Sequence, residues 1–143
     1  MDKKNYECLS HDSYTYEELT IKTIEPDFIE KIRRWRNAQL DILRQNNKIT
    51  KEEQSTYYKK NIWSDMGKTP KNILFGIFNK NTLIGYGGLV NISWRDKRAE
   101  ISFLIDKTFS HYEHGEILQK FIRLIKQVAF DGLKMNKLWT ETY

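Results

Sequence analysis

Two apolar runs separated by only three residues constrain the fold of this chain more than any other feature. Residues 72–78 and 82–90 are rich in Ile, Leu, Phe and Val, and the polar residues 79–81 lie between them. This arrangement predicts a β-hairpin. Residues 98–105 then alternate in polarity, with alternate side chains on opposite faces, which predicts a third strand. The three strands together predict an antiparallel meander.

After the meander the pattern changes from alternation to a helical period. Residues 114–133 predict an amphipathic helix, and residues 137–143 predict a further strand. The apolar stripe of the helix comprises Ile117, Phe121, Leu124, Ile125 and Val128. A strand, a helix and a strand in succession predict a right-handed parallel crossover, so the chain is expected to be α/β.

The first half of the chain predicts one strand and two helices. Residues 14–24 are rich in β-branched and aromatic side chains and predict the strand, and Pro26 suits the first turn of a helix. The apolar face of that helix comprises Phe28, Ile29, Ile32 and Trp35. Thr50 and Glu53 have the spacing of a capping box at the start of a second helix over 51–63. The predicted order of elements is βααβββαβ.

The composition fits one domain, since 39% of the 143 residues are hydrophobic and 30% are charged. We expect residues 1–13 to be mobile and 14–143 to form a single domain. The chain shows neither a signal peptide nor an apolar run of membrane-spanning length. Cys8 is its only cysteine, which fits a reducing compartment, so a cytoplasmic protein is expected.

The charges and histidines restrict the ligands that the chain can bind. A net charge of +5 can attract nucleic acid or a multiply anionic small molecule such as coenzyme A, and charge alone does not choose between them. The three histidines, His11, His111 and His114, lack metal-ligand spacing, so no metal is expected.

Four local strings follow one another along the chain. They are Arg-Trp-Arg-Asn at 34–37, Leu-Ile-Gly-Tyr-Gly-Gly-Leu at 83–89, Ala-Glu-Ile-Ser-Phe-Leu-Ile at 99–105, and Gly115 with a helix that leads into 128–138. In this order they resemble the GNAT superfamily of acyl-CoA-dependent N-acyltransferases. The similar branch acetylates ribosomal-protein alanine and includes acetyltransferases for polyamines and amino sugars. The resemblance covers residues 19–143.

The resemblance implies a fold and an activity. The fold is a mixed central sheet with helices on both faces. Acetyl-CoA is the implied acyl donor, and its acetyl group passes directly to a primary amine of a small metabolite, an amino sugar or a peptide amino terminus. The expected partners are therefore amine substrates, with no nucleic acid and no membrane.

The chain departs from the family at two places. The family's coenzyme loop has Gln or Arg, two residues, Gly, one residue, then Gly or Ala, whereas Tyr112, Gly115 and Ile117 stand here. Family members also continue past the fifth strand with a helix, which carries a tyrosine general acid, and a closing hairpin. This sequence ends at Tyr143. We therefore expect a sheet without its carboxy-terminal part, whose exposed strand edge pairs with a second copy in a homodimer, recruits another partner or leaves the domain marginally stable. The alternative is a complete, reduced domain in which residues 137–143 form an ordinary edge strand.

The resemblance also implies coenzyme contacts on two segments. A loop before the long helix is expected to bind the pyrophosphate with its amides at the helix amino terminus. It comprises Tyr112, Glu113, His114, Gly115, Glu116 and Ile117. The backbone of Phe103, Leu104 and Ile105 is expected to pair with the pantetheine amides. Gly115 also suits an ordinary tight turn, and the two glutamates oppose phosphate charge, so weak binding is expected.

Acetylation of an amine requires a group that removes a proton from it. Glu100 is the candidate base. It lies on the face of the strand over 98–105 that is opposite Ala99 and Ile101, where family members often carry a carboxylate. A solvated Glu100 paired with Arg95 or Arg98 is the ordinary alternative. The candidate acceptor-binding residues are Arg36, Asn37, Asn91 and Trp94.

Two other functions compete with this hypothesis. A non-catalytic acyl-CoA-binding or interaction module is suggested by Tyr112, Ile117 and the expected loss of the carboxy-terminal elements. A nucleic-acid-binding protein is suggested by Arg33, Arg34 and Arg36. Helical surfaces carry such charges routinely, however, and no nucleic-acid motif accompanies them.

Overall fold

A computed structural model describes residues 6–39 and 48–140 of the chain. Within these residues, a six-stranded sheet carries helices on both faces. The strands are β1 (Ser13–Tyr16), β2 (Leu19–Thr23), β3 (Ile73–Asn79), β4 (Thr82–Ser93), β5 (Arg98–Ile105) and β6 (Lys137–Trp139). The helices are α1 (Ile29–Ala38) after a 3-10 turn (Pro26–Phe28), α2 (Lys51–Tyr57) continued by a π-helical segment (Tyr58–Trp63), and α3 (His111–Lys126) continued by another (Gln127–Gly132).

The sheet confirms the predicted mixed α/β fold. Its strands follow chain order, and every neighbouring pair is antiparallel except β5 with β6, which is parallel. The predicted hairpin between β3 and β4 turns at Lys80 and Asn81, which have φ angles of 49° and 71°. Two successive positive φ angles match the right-handed twist of the flanking strands. The parallel pair confirms the predicted crossover through α3.

The strand predicted over 14–24 is two strands, so this part of the prediction was wrong. Tyr16 pairs with Leu19, and Glu17 adopts a φ of 53° in the two-residue turn between β1 and β2. The turn has no Gly, Asn or Asp, the residues that normally indicate such a φ in sequence. The order within the described residues is therefore ββααβββαβ.

The long helix begins at His111 instead of 114. Ser110 is its N-cap: the Ser110 Oγ accepts a hydrogen bond from the Glu113 N–H at 3.1 Å, and the Glu113 Oε1 accepts from the Ser110 N–H at 2.9 Å. The Ser-x-x-Glu spacing of this capping box was present in the sequence. Residues 112–117 are consequently helical and do not form the predicted loop.

Two apolar cores lie on opposite faces of the sheet. The α3 core lies beneath the long helix and includes Phe75, Ile77, Leu89, Phe121, Leu124 and Ile125. The α1–α2 core lies on the other face and includes Phe28, Ile32, Trp35, Tyr58, Leu74, Tyr86 and Leu104. The predicted core position of Trp35 is confirmed, since the residue is 6% exposed.

The start of the described chain packs against the sheet. Tyr6 is 2% exposed, and its hydroxyl accepts a hydrogen bond from the Leu74 N–H at 3.1 Å. The buried ring joins the segment from Tyr6 onward to the α3 core, and the expected mobility of residues 1–13 stays a prediction. Residues 141–143 of the predicted last strand lie outside the described residues. In the described part of the chain, no helix combines the length and apolar character needed to cross a membrane.

Candidate active site

Among the described residues, the outer edge of β5 has a strand neighbour only along its first part. Strands β5 and β6 pair from Arg98 with Lys137 to Glu100 with Trp139. Beyond this point β5 continues to Ile105, while the described part of β6 stops at Trp139. Within the described residues, the segment 101–105 therefore has a strand neighbour on one side only, β4. An edge without a strand neighbour presents main-chain groups that an extended, amide-containing ligand can bind.

Main-chain groups along β5 point alternately to the two sides of the strand. The Asp106 N–H donates to the Ile84 carbonyl on β4, and the Lys97 carbonyl accepts from the Asn136 N–H on the β6 side. A Cβ built on Gly85 would lie 2.3 Å from the Leu104 oxygen, so that carbonyl also faces β4. By alternation, Phe103 and Ile105 present their main-chain groups to the open edge. The main chain of Leu104 faces β4, so its predicted contact with the coenzyme stays a prediction that this geometry does not favour.

The end of the open edge is fastened to α1. The Gln39 Nε2 donates to the Ile105 carbonyl at 3.1 Å, and the Trp35 Nε1 donates to the Asp106 Oδ2 at 3.3 Å. Burial opposes the charge of Asp106, but hydrogen bonds from the Thr108 N–H and from Trp35 hold its pKa below the usual value. Asp106 is therefore ionised at neutral pH. The Ile105 carbonyl, which faces the outer edge of β5, already accepts a hydrogen bond from within the protein.

The amino terminus of α3 follows β5 in the chain, and its capping box already uses some of the free N–H groups of the first helical turn. The Glu113 N–H is bound to Ser110, and the backbone N–H of Ser110 lowers the pKa of the Glu113 carboxyl. Among the described residues, none accepts a hydrogen bond from the N–H groups of His111 and Tyr112. These two amides and the helix dipole favour an anion, whereas the nearby carboxylate opposes it.

The remaining predicted coenzyme residues lie on the first two turns of α3. Tyr112 is 73% exposed, and its hydroxyl donates to the Glu116 Oε1 at 2.9 Å. The His114 ring packs edge-on against Phe103, with ring centroids 5.3 Å apart. Gly115 is open, since a Cβ there would meet no atom within 4 Å, and the Ile117 side chain is buried in the α3 core.

A cleft of about 440 Å³ lies on the opposite face of the sheet, between α1, α2 and the strands. The residues that line the cleft are Arg36, Ile49, Glu53, Gln54, Tyr57, Tyr58, Leu74, Tyr86, Val90 and Ser102. The Gln54 Nε2 donates to the Ile29 carbonyl at 3.0 Å, which joins α2 to the start of α1. The Glu53 carboxylate accepts from the Thr50 N–H and completes the predicted capping box of α2.

Arg36 and Tyr86 form the polar centre of this cleft. The Arg36 Nη1 donates to the Tyr86 hydroxyl at 2.5 Å. Burial opposes the charge of Arg36, but the hydroxyls of Tyr86 and Tyr58 outweigh it and hold its pKa above the usual value. Burial raises the pKa of Tyr86 and of Tyr58, so both hydroxyls stay protonated at neutral pH. The lining of the cleft thus combines the Arg36 cation with neutral tyrosine hydroxyls and the Glu53 carboxylate.

Glu100 and Asn91 are brought together beside the cleft. The Asn91 Nδ2 donates to the Glu100 Oε1 at 3.0 Å, where β4 bulges and Asn91 has a φ of 50°. Arg95 and Arg98 approach Asp96, at 3.5 Å and 3.9 Å, so the pairing of either with Glu100 is not what the structure shows. Because side chains alternate along β5, Glu100 shares the cleft face with Ser102, two residues further on.

Two of the predicted acceptor residues have structural contacts instead. The Asn37 amide donates to the Ile49 carbonyl at 3.0 Å and accepts from the Ile49 N–H at 2.7 Å, so it holds the start of α2 to α1. Trp94 packs on the α3 core, and its Nε1 donates to the Pro70 carbonyl at 2.8 Å. Trp94 is therefore on the opposite face from the cleft.

The sequence did not identify the tyrosines of the cleft. Tyr57 and Tyr58 lie in the segment predicted as a helix over 51–63, beside the arginine cluster, and Tyr86 lies in an apolar run predicted as a strand. One signal was available for Tyr86, since an aromatic hydroxyl inside a buried strand requires a hydrogen-bond partner. Among the described residues, no three His, Cys, Asp or Glu side chains lie close enough together to hold a metal ion.

Comparisons with known proteins agree with this geometry. Among solved structures, the spermidine N-acetyltransferase from Vibrio cholerae in complex with CoA and spermine has a TM-score of 0.74 and 18% identity, over 89% of this chain and 72% of that chain. A dodecameric structure of the spermidine N-acetyltransferase from Vibrio cholerae has a TM-score of 0.68 and 18% identity, over 87% and 70%. A probable acetyltransferase has a TM-score of 0.66 and 21% identity, over 88% and 71%. These similarities confirm the fold.

The family follows from the sequence comparison. No sequence among curated proteins matches the chain significantly. A family profile described as an acetyltransferase (GNAT) domain matches residues 21–143, which is most of the chain. The chain therefore belongs to the GNAT family of acetyltransferase domains.

Proposed function

We propose that this protein is an acetyl-CoA-dependent N-acetyltransferase that transfers the acetyl group directly to a primary amine. The acceptor is a small metabolite, an amino sugar or a peptide amino terminus. The observation that carries the proposal is that the outer edge of β5 lies next to the cleft. Phe103 and Ile105 present main-chain groups outward, Ser102 lines the cleft, and Glu100 lies beside it on the same face of the strand.

The open edge supplies the coenzyme site in this proposal. The N–H and carbonyl groups of Phe103 and the N–H of Ile105 pair with the pantetheine amides, while the Ile105 carbonyl accepts from Gln39. The start of α3 receives the pyrophosphate. Tyr112, Glu113, His114, Gly115, Glu116 and Ile117 remain the candidate residues there, with the amides of His111 and Tyr112 as the donors. Because the Glu113 carboxylate lies in this first turn, we expect binding in the micromolar range or weaker.

Glu100 has the role of general base. An amine must lose its proton to attack the thioester carbonyl, and a carboxylate on the cleft side of β5 can accept that proton directly or through one water. Asn91 orients the carboxylate through its hydrogen bond. An outward N–H on β5 is placed to polarise the thioester carbonyl. Direct transfer is favoured because Cys8 packs at the periphery of the α3 core, far along the chain from the cleft residues.

Two measurements on the whole chain test the proposal. Calorimetric titration measures acetyl-CoA affinity, and a screen of primary amines measures release of the CoA thiol. Glu100→Gln is expected to lower turnover about 10²-fold while coenzyme affinity changes little. Unchanged turnover in this variant, with a substrate that the wild type acetylates, would show that Glu100 is a solvent-exposed strand residue and not the general base. Failure to bind acetyl-CoA would reject the proposal.

A non-catalytic acyl-CoA-binding module is the second candidate. The alternative includes an interaction module, and two contacts favour that form because they weaken the coenzyme site: the Glu113 carboxylate in the first turn of α3, and the Gln39 side chain on the Ile105 carbonyl. Coenzyme binding without turnover of any amine would support this candidate. Light scattering at several concentrations tests the expected homodimer.

A further inference from the structure

The aromatic side chains on the helix side of the cleft form a ladder of rings. The Tyr58 ring stacks at a tilt on Trp63, with ring centroids 5.5 Å apart, and the Tyr57 ring packs edge-on against Tyr58 at 5.7 Å. Tyr58 is 2% exposed, whereas Tyr57 is 47% exposed and lines the cleft. Among the described residues, the ladder ends at Tyr57. The exposed part of this outermost ring can therefore contact a ligand in the cleft.

The strands supply a second apolar wall of the same cleft. It comprises Leu74 on β3 and Tyr86 and Val90 on β4. The charged side chains of the described lining, Arg36 and Glu53, have opposite signs, so this lining carries no net formal charge. A cleft with an aromatic wall and an apolar wall fits a flat, uncharged ring, because both faces of the ring leave water there.

We propose that the acceptor is a primary amine joined by a short chain to an uncharged aromatic ring, and that Tyr57 binds this ring. This inference rests on the proposed function and narrows it to one class of substrate. A sugar or a polycation is disfavoured, because most of the described lining is apolar or aromatic and offers few partners to hydroxyl or ammonium groups. The Gln54 amide in particular is already bound to the Ile29 carbonyl.

The pairing of β4 with β5 sets the distance between the ring and the amine. Val90 lines the cleft and pairs directly with Glu100, the proposed base. Directly paired residues of antiparallel strands have Cβ atoms about 4.5–5.5 Å apart on the same face of the sheet. A ring packed between Tyr57 and Val90 therefore reaches Glu100 through a chain of about two carbons that ends in the amine. The expected acceptor is an arylethylamine.

The test compares primary amines that differ in the body attached to the amine. Phenethylamine carries an aromatic ring on a two-carbon chain, cyclohexylethylamine carries a saturated ring, and ethylamine carries none. Glucosamine and spermidine represent sugars and polycations. Calorimetric binding, with and without CoA, and kcat/KM for acetyl transfer are measured for each amine. We expect phenethylamine to exceed ethylamine by about 30- to 100-fold, from burial of the ring, and cyclohexylethylamine by about 2- to 10-fold, from the contact between aromatic rings.

The same arylethylamine unit occurs in a free amine and at the amino terminus of a peptide that begins with phenylalanine. The tripeptide Phe-Gly-Gly is therefore compared with Ala-Gly-Gly and with phenethylamine. A higher kcat/KM for phenethylamine than for Phe-Gly-Gly identifies a free amine as the acceptor, and the reverse order identifies a peptide amino terminus.

Variants of the aromatic wall connect the preference to Tyr57. Tyr57→Ala is expected to lower the ratio of kcat/KM for phenethylamine to that for ethylamine by about 10-fold or more. Tyr57→Phe keeps the ring and is expected to keep this ratio within about 2-fold. Phe130→Ala is the matched control, because it removes a ring that is 37% exposed on the segment that continues α3. Acetyl-CoA affinity is the second readout and is expected to stay unchanged in all three variants.

Several results would overturn this assignment. They are values for phenethylamine no higher than those for the other four amines, no binding of phenethylamine, and a ratio that Tyr57→Ala leaves unchanged or that Phe130→Ala lowers equally. Failure of the proposed function is distinguishable, because it shows as absence of acetyl-CoA binding in the separate titration. Binding of phenethylamine, cyclohexylethylamine and ethylamine to the protein without CoA then still decides the preference for a ring.

Discussion

The α3 face of the sheet is sealed, whereas the α1–α2 face is partly open. On the first, a helix of 16 residues lays one apolar stripe over the strands, and Phe121, Leu124 and Ile125 are each at most 1% exposed. On the second, two shorter helices cross the strands and leave the cleft between them. The same strands supply both faces. The helices therefore decide which face contributes more to the free energy of unfolding, through buried apolar side chains, and which face leaves a cleft for a ligand.

Aromatic truncations on the two faces give the largest expected effects. Phe121→Ala removes a ring that is 0% exposed and packs 5.0 Å from the Phe103 centroid, and we expect it to lower the free energy of unfolding by about 3–5 kcal/mol. Tyr57→Ala removes a cleft residue that is 47% exposed and is expected to cost about 1 kcal/mol or less. Urea denaturation measures both. Equal losses would contradict the comparison of the two faces.

The seam between β4 and β5 belongs to both faces and leaves little room for a side chain. A Cβ on Gly87 would lie 2.2 Å from the Ser102 oxygen and 3.0 Å from the Phe121 ring. Because backbone has to move, Gly87→Ala is expected to cost about 2 kcal/mol. Gly67→Ala is the control, since no atom lies within 4 Å of its Cβ. A Gly87→Ala variant with the melting temperature of the wild type would contradict this expectation, since it would show that β4 and β5 can move apart at little cost.

The start of the long helix gives a smaller effect of opposite sign. Gly115 lies in the interior of α3, and a Cβ there meets nothing within 4 Å. Gly115→Ala is expected to raise the free energy of unfolding by about 0.5–1 kcal/mol, because alanine has the higher helix propensity. A loop glycine with a positive φ would give destabilisation instead. The thermal melting temperature therefore separates a helix that begins at His111 from the loop predicted at 112–117.

The smallest expected effect is the pH dependence from Glu113. Its folded-state pKa lies below the unfolded value of about 4.3, since the Ser110 N–H binds the ionised carboxylate. The associated stability is present at neutral pH and is lost as the pH falls through that lower folded-state pKa. Urea unfolding of Glu113→Gln between pH 7 and pH 2.5 is expected to show a flatter acid limb than the wild type. An identical acid limb in both proteins would exclude this contribution.

The sequence by itself determined the elements whose signals are local. The β3 to β5 meander, the stripe of α3 and the capping box at Thr50 each depend on residues a few positions apart, where periodicity and hydrogen-bonding capacity act directly. The same locality placed Glu100 on the strand face opposite Ala99. The four strings in order also indicated the family, which the comparison confirms. Even the start of α3 was readable from Ser110 and Glu113.

Only the tertiary structure decided how these elements meet. The sequence predicts that main-chain groups of successive β5 residues point to opposite sides of the strand. The pairing of β5 with β4 decides that those of Phe103 and Ile105 face the outer edge and those of Leu104 do not. Arg36 and Tyr86 are 50 positions apart and join through a hydrogen bond across the cleft. Such contacts depend on how helices cross a twisted sheet, and no local pattern encodes that crossing. The candidate site is made of these long-range contacts, which is why the sequence indicated its chemistry and only the fold gave its shape.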